Sequence, residues 1–185
     1  MRKIFIFKIK LVVGISNPRK NFGKTRHNIG SWMLYNLVDK YKGKFIKNKK
    51  FYGYVSNIIL KNRKIKFLIP DIYMNVNGRS VFSFAYYYKI KLSEILIVHD
   101  DIDLFPGNIK IKYGNGHGGH NGLRSIISFF KEKVSFYRVR IGIGRPLFKN
   151  QVSEYVLDEP SKNEYRLIVN SISKNILEIE KIFFS

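Results

Sequence analysis

The sequence predicts an α/β fold: one domain spanning residues 1–185, a three-layer α/β/α sandwich around a twisted mixed β-sheet. Three observations predict it. Runs of strand-like pattern alternate with stretches of helical period along the chain, as expected for strands and helices layered on one core. Two strand candidates are joined by the turn-prone "KNR" (residues 61–63), and this hairpin character makes the sheet mixed. No internal repeat, Pro/Ser-rich linker or compositional break divides the 185 residues, a length that buries roughly two-thirds of the unfolded surface in one core.

The first strand is "FKIKLVVGI" (7–15). The basic start of the chain has the look of a secretory leader, but Lys8 and Lys10 interrupt the apolar run and no small-residue cleavage pattern follows. "NIGSWMLYNLVDKYKG" (28–43) reads as a helix, with Asn28 as N-cap, a stripe of Ile29, Trp32, Met33, Leu37 and Tyr41, and Gly43 as a left-handed C-cap. The basic "KFIKNKK" (44–50) reads as a solvated turn. "FYGYVSNIIL" (51–60) and "KIKFLIP" (64–70) are the hairpin strands, and "NGRSVFSFAYYYKIK" (77–91) is a second helix despite its strand-tolerant Tyr run. "EILIVHD" (94–100) is a short buried strand ending in polar residues, the place where chemistry gathers in parallel sheets. "NIKIKY" (108–113) alternates and is half-exposed, "NGLRSIISFFK" (121–131) is a third helix, and "FYRVRIGIG" (136–144) is a further strand. "KNEYRLIVNSISKNILEIEKIFF" (162–184) closes the chain as an amphipathic helix with Leu167, Ile168, Ile172, Ile176, Leu177, Ile179 and Ile182 as its apolar face.

Composition bounds the function classes. With 45% hydrophobic and 25% charged residues the chain is globular, and no stretch reaches the ~18 uninterrupted apolar residues of a membrane span. A soluble protein is expected. Zero cysteines excludes disulfides, thiol nucleophiles and Cys-ligated zinc, and fits a reducing cytoplasm. The 34 Lys and Arg against 13 Asp and Glu leave a net charge of +21, which draws phosphate backbones with a salt-dependent free energy. The same richness in Lys, Asn, Ile, Phe and Tyr is what A/T-rich codons produce, so the charge points to nucleic acid without locating a site.

Polar residues cluster at element ends: "GISNP", "KTRHNIG", "YMNVNG", "VHDDID" and the loop "GNGHGGHNG" (114–122). Loops of this kind converge on one rim of a sheet. His27, just before a helix start, has potential partners in Asp100, Asp101 and Asp103, and a carboxylate on one ring nitrogen makes the other a general base near pH 7. Asn17, Asn28, Asn75, Asn77, Asn115 and Asn121 are each ordinary caps or turn residues singly; together with a His and an Asp they would also supply amide donors to an ester carbonyl. A metal site would use His99, Asp100, Asp103, His117 and His120, but the loop histidines lack the i, i+4 helical spacing of a zinc motif. Gly114, Gly116 and Gly119 match G-x-G-x-x-G, yet they follow an alternating, half-exposed strand and no Gly-Lys-Ser/Thr is present, so neither nucleotide fingerprint applies.

Taken in order and spacing, "VGISNP", "TRHNIG", "FYGY", "YMNVNG", "VHDDIDL", "GHGGHNGLRSI" and "FYRVRIGIGRP" resemble the monomeric bacterial type of peptidyl-tRNA hydrolase, from about Ile9 to Leu157. The resemblance implies hydrolysis of the ester between a peptide and the 3′ ribose of tRNA, recycling tRNA for translation. By motif it implies His27 as general base for water and Asp100 as its orienting carboxylate, with no cofactor, no metal and no covalent intermediate. It implies Asn17 as the discriminator of N-blocked from free aminoacyl ends, and Tyr73, Met74, Asn75 and Asn121 as substrate-binding residues. His120, Lys110, Lys112 and Arg140 fall on positions associated with the tRNA acceptor end. Phe22, where Tyr is common, keeps stacking on the terminal base but loses a hydroxyl, and Tyr73, where Phe is common, gains one. After Leu157 the similarity weakens, and the chain ends without the basic tail of many members.

The implied protein is a cytoplasmic monomer with peptidyl-tRNA as its partner and no membrane association. A chloroplast relative that serves in intron splicing keeps a non-enzymatic RNA-binding reading open on the same fold. A binding-only descendant has no need of His27 and Asp100 together, and both are present.

Overall fold

The computed structural model describes residues 9–130 and 135–183. Strand β1, Leu11–Gly14, is buried at every position and lies in the middle of a seven-stranded sheet. Strands β4 (Arg63–Pro70) and β5 (Ile95–Asp101) flank it in parallel, and β7 (Phe136–Gly142) runs parallel to β5. The flanks are antiparallel: β2 (Ile46–Asn48) and β3 (Gly53–Leu60) extend the sheet beyond β4, and β6 (Ile109–Gly114) pairs with β7. Short connections make β2, β3 and β4 antiparallel neighbours, whereas β6 and β7 are antiparallel although a helix lies between them in sequence. The 61–62 turn is made by Lys61 and Asn62, both with positive φ (45° and 62°), the conformation whose twist suits a two-residue hairpin.

Helices cover both faces. On one, α2 (Ile29–Lys40) and α6 (Lys162–Ile182) bury Leu34, Leu37, Ile168, Ile172 and Ile176 against Val12, Phe67, Leu96, Val98 and Val139. On the other, α3 (Asn77–Tyr87) and α4 (Asn121–Phe130) bury Val81, Phe84, Leu123 and Ile126 against Leu11, Val13, Leu68 and Ile97. Alternation along β1 and β5 sends successive side chains to opposite cores, so runs such as "ILIV" are apolar throughout. The expected α/β/α layering is the observed one.

Several local expectations are corrected. Asn28 holds the N-cap position of α2 as expected, but its side chain makes no cap bond and joins both backbone groups of Asn17 instead (2.9 and 3.0 Å). The left-handed residue after α2 is Lys42 (φ 55°), one before Gly43. Part of the expected turn at 44–50 is the edge strand β2, exposed enough to carry no alternating pattern. On α6, Ile168, Ile172, Ile176 and Ile179 are buried, whereas Leu167 and Leu177 are 56% and 62% exposed because each lies one residue, about 100° of rotation, off that seam. Two short helices had no sequence signal: α1 (Arg19–Phe22) and α5 (Val152–Leu157). The expected first strand begins, and the expected third helix ends, outside the described residues.

Candidate active site

The carboxyl ends of β1, β4 and β5 and the starts of α2 and α4 open on a cavity of about 680 Å³. Its floor is Asp100, the sixth residue of β5, 2% exposed. His27 sits on the 3-10 turn Arg26–Asn28 that leads into α2. That turn is anchored on both sides of the histidine. The Arg26 guanidinium donates to the Tyr155 carbonyl (3.1 Å) and the Glu164 carboxylate (3.0 Å) and lies 4.0 Å over the Tyr155 ring, while Asn28 is tied to Asn17.

His27 Nδ1 lies 2.9 and 3.0 Å from the two oxygens of Asp100, so Nδ1 carries the proton it donates and Nε2 is the basic ring atom on the cavity that His27 lines. Burial works against the charged imidazole, but the charge and hydrogen bond of Asp100 outweigh it and raise the pKa of His27 above 6.5. Burial alone would raise Asp100; the histidines His27 and His120 reverse this and hold its carboxyl well below the usual range.

His120, expected at the acceptor end, lines the cavity with its Nε2 2.9 Å from Asp100 Oδ1 and its ring 4.8 Å from that of His27. Its Nδ1 accepts the N–H groups of Gly122 and Leu123 (3.1 and 3.4 Å) at the start of α4, which leaves the proton on Nε2 for donation to Asp100. His99 is buried behind them, donating through Nδ1 to the Asp100 carbonyl (2.6 Å), and burial together with His120 lowers its pKa to about 3. It is neutral. His117 accepts the Gly119 N–H (3.0 Å) and shapes its own loop.

The five residues of the sequence-derived metal set do not converge. Among the described residues the trio with ligand atoms in reach of one another, within 4.8 Å, is His27, Asp100 and His120. The atoms facing each other in it are already joined by N–H to carboxylate hydrogen bonds, so protons occupy the directions a cation would need.

The asparagines divide. Asn28 and Asn77 are structural: Asn77 is fully buried and bonds both backbone groups of Ser16 and the carbonyls of Ile72 and Tyr73. Asn17, Asn75 and Asn121 line the cavity, with Tyr73, Met74 and Lys112. Asn17 Oδ1 accepts the Met74 N–H (2.8 Å), which fixes the amide, and its buried Nδ2 has no hydrogen-bond partner among the described residues. Lys110 and Phe22 lie outside the lining; Phe22 meets Tyr73 edge-on at 6.3 Å, and Lys110 neighbours Arg140 across the sheet. Arg140 is held by Asp101 at 2.5 Å.

Unforeseen lining residues are Arg138, whose guanidinium donates to the Gly116 carbonyl and tethers the glycine loop, and Val152, Val156 and Leu157, an apolar wall from α5. In the loop, Gly119 takes φ +84°, and a Cβ on Gly122 would meet Met74 Sδ at 2.6 Å. Arg138 was hidden in a strand pattern, and "VSEYVL" is too short for a period to register.

Comparison with known proteins identifies the family. The sequence model of the peptidyl-tRNA hydrolase family matches residues 11–185. Peptidyl-tRNA hydrolase of Buchnera aphidicola subsp. Acyrthosiphon pisum (strain APS) is 50% identical over 171 residues, 90% of this chain and 97% of the relative. That of Pasteurella multocida (strain Pm70) is 42% identical over 167 residues, 90% of this chain and 86% of the relative. The crystal structure of peptidyl-tRNA hydrolase from Acinetobacter baumannii superposes with a TM-score of 0.91 at 38% identity, covering 97% of this chain and 90% of that one. The chain belongs to the peptidyl-tRNA hydrolase family.

Proposed function

We propose that this protein hydrolyses the ester of peptidyl-tRNA by general-base catalysis, with His27 activating water and no metal taking part. The carrying observation is the His27–Asp100 contact at the floor of a cavity that Asn17, Asn75 and Asn121 also line. His27 Nε2 takes a proton from water as the oxygen attacks the ester carbonyl carbon. Asp100 stabilises the imidazolium that forms. Negative charge builds on the carbonyl oxygen, where the amide N–H groups of Asn17, Asn75 and Asn121 are the donors at hand. Collapse breaks the bond to the 3′ oxygen, which receives the proton from His27; tRNA and the peptide acid leave, the acid giving water's second proton to solvent.

His120 touches Asp100 and so acts as a positioning residue. Lys110, Lys112 and Arg140, with Phe22 and Tyr73 at the rim, are the residues assigned to the acceptor end. Residues 1–185 act as one domain and as a monomer, in the cytoplasm where translation generates the substrate. No helix of the described residues is long and apolar enough to cross a membrane.

Release of peptide from N-acetylaminoacyl-tRNA tests the reading. His27→Ala should slow it by roughly 10²–10⁴-fold, and EDTA should leave the wild type unchanged. Turnover within a few-fold of wild type in His27→Ala rejects the general base, and loss of activity in EDTA makes the His27–Asp100–His120 trio a metal site.

A further inference from the structure

The net charge is concentrated in one half of the chain. Residues 1–93 carry 21 Lys and Arg against 2 Asp and Glu, whereas residues 94–185 carry 13 against 11. The second half, which supplies Lys110, Lys112 and Arg140, is thus close to neutral, and Arg140 and Arg145 are already paired with Asp101 and Asp103. The half of the sheet built by β1 to β4 carries Lys47, Arg63, Lys64 and Lys66 on its strands.

At the strand-start end of that half, opposite the active site, is a second cavity of about 260 Å³, lined by Lys10, Arg63, Lys64, Lys66, Tyr88 and Ile90. Helix α3 ends at Tyr87, so the hairpin face beyond it is uncovered and Ile59 is 74% exposed. Lys66 Nζ lies 4.3 Å from the centre of the Tyr88 ring. Lys10 is paired with Glu94 (2.7 Å) and Arg63 donates to the Phe183 carbonyl (2.9 Å). Lys64 and Lys66 have no carboxylate partner among the described residues. Burial, and then the charge of Lys64, push the Lys66 ammonium below its usual pKa, so the two lysines repel each other in a site that an anion would relieve.

Two residues apart on one strand face, Lys64 and Lys66 are roughly 6.6 Å from each other along β4. That is close to the spacing of consecutive phosphates on a nucleic-acid strand. We propose that this cavity is a second RNA contact, in which Lys64 and Lys66 take neighbouring phosphates of an RNA backbone, on the order of 20 Å along the sheet from the catalytic pair. The choice of RNA as the polyanion rests on the peptidyl-tRNA reading.

Binding of a 24-base-pair RNA duplex, without aminoacyl or single-stranded ends, tests it by fluorescence anisotropy across a salt series. Wild type should bind at low salt, and Lys64→Gln/Lys66→Gln should bind more weakly, with a log K against log salt slope smaller by about 2. The same variant should hydrolyse a tRNA-free N-acetylaminoacyl ester at the wild-type rate, which also reports that it is folded. Unchanged affinity and slope in the folded double variant would overturn the second contact. Failure of the wild type to cleave peptidyl-tRNA would instead overturn the catalytic reading, so the two failures are distinguishable.

Discussion

His120 Nε2 and Asp100 Oδ1 lie 2.9 Å apart, and the same oxygen is 2.9 Å from His27 Nδ1, so one carboxylate atom is shared by two imidazoles. The pull of Asp100 on His27 is therefore divided. Removing His120 concentrates it on His27 and makes the base harder to deprotonate. His120→Ala should lower kcat by roughly 10-fold near neutral pH and move the acidic limb of the pH–rate profile upward, about one unit for each 1.4 kcal/mol of strengthened pairing. A merely structural residue would lower the rate without moving the limb.

The pH dependence of the wild type follows from the raised pKa of His27. The base works neutral, so activity should fall as pH drops through a value above 6.5, the ordinary histidine range. Asp100→Asn removes the charge that raises it. The acidic limb of that variant should lie at lower pH, with a lower plateau because the imidazolium is no longer stabilised. Profiles of kcat/KM for both proteins decide this; a limb that stays in place dissociates Asp100 from the titration.

Asn17 separates a donor from an acceptor role. Its Oδ1 is engaged by Met74 N–H, while Nδ2 has no partner among the described residues. Asn17→Asp keeps the acceptor and replaces the donor by an oxygen. Loss of a donor to developing negative charge is expected to cost about 10²–10³-fold in kcat, with melting temperature nearly preserved, whereas Asn17→Ala should lose both rate and stability. Wild-type turnover in Asn17→Asp would remove the donor from the mechanism.

Arg26→Ala tests the anchor beside the base. The residue is 7% exposed and its loss strands Glu164 without its cation. Breaking a largely buried pair costs about 3 kcal/mol, or roughly 6–12 °C in melting temperature at this chain length. Turnover should fall as well, since His27 is the next residue, and calorimetry with kinetics measures both effects.

Much of the fold was legible because its signals are local. The four-residue spacing of Ile168, Ile172 and Ile176 announces a helix seam, and the apolar run at Ile95–Val98 a strand buried on both faces. Strand order is another matter: nothing in "LVVG" says that it will be central, with β4 and β5 on either side. At the site, His27, Asp100 and the asparagines stand out by type and position. Asn28 and Asn77 have the same type and similar context as Asn17 yet spend their amides on backbone, a difference decided by packing. The turn of His120 onto Asp100 is likewise tertiary, set by the first N–H groups of α4.

The Arg26–Glu164 link spans 138 positions, so the seat of His27 is completed only once α6 is in place. Asp100, His120 and Asn121 are similarly late relative to Asn17. A growing chain therefore has its nucleophile-activating histidine early but no working centre until α6 has emerged and docked. A chain that stops short of Glu164 should therefore show little activity against peptidyl-tRNA, although it already carries His27, Asp100 and His120.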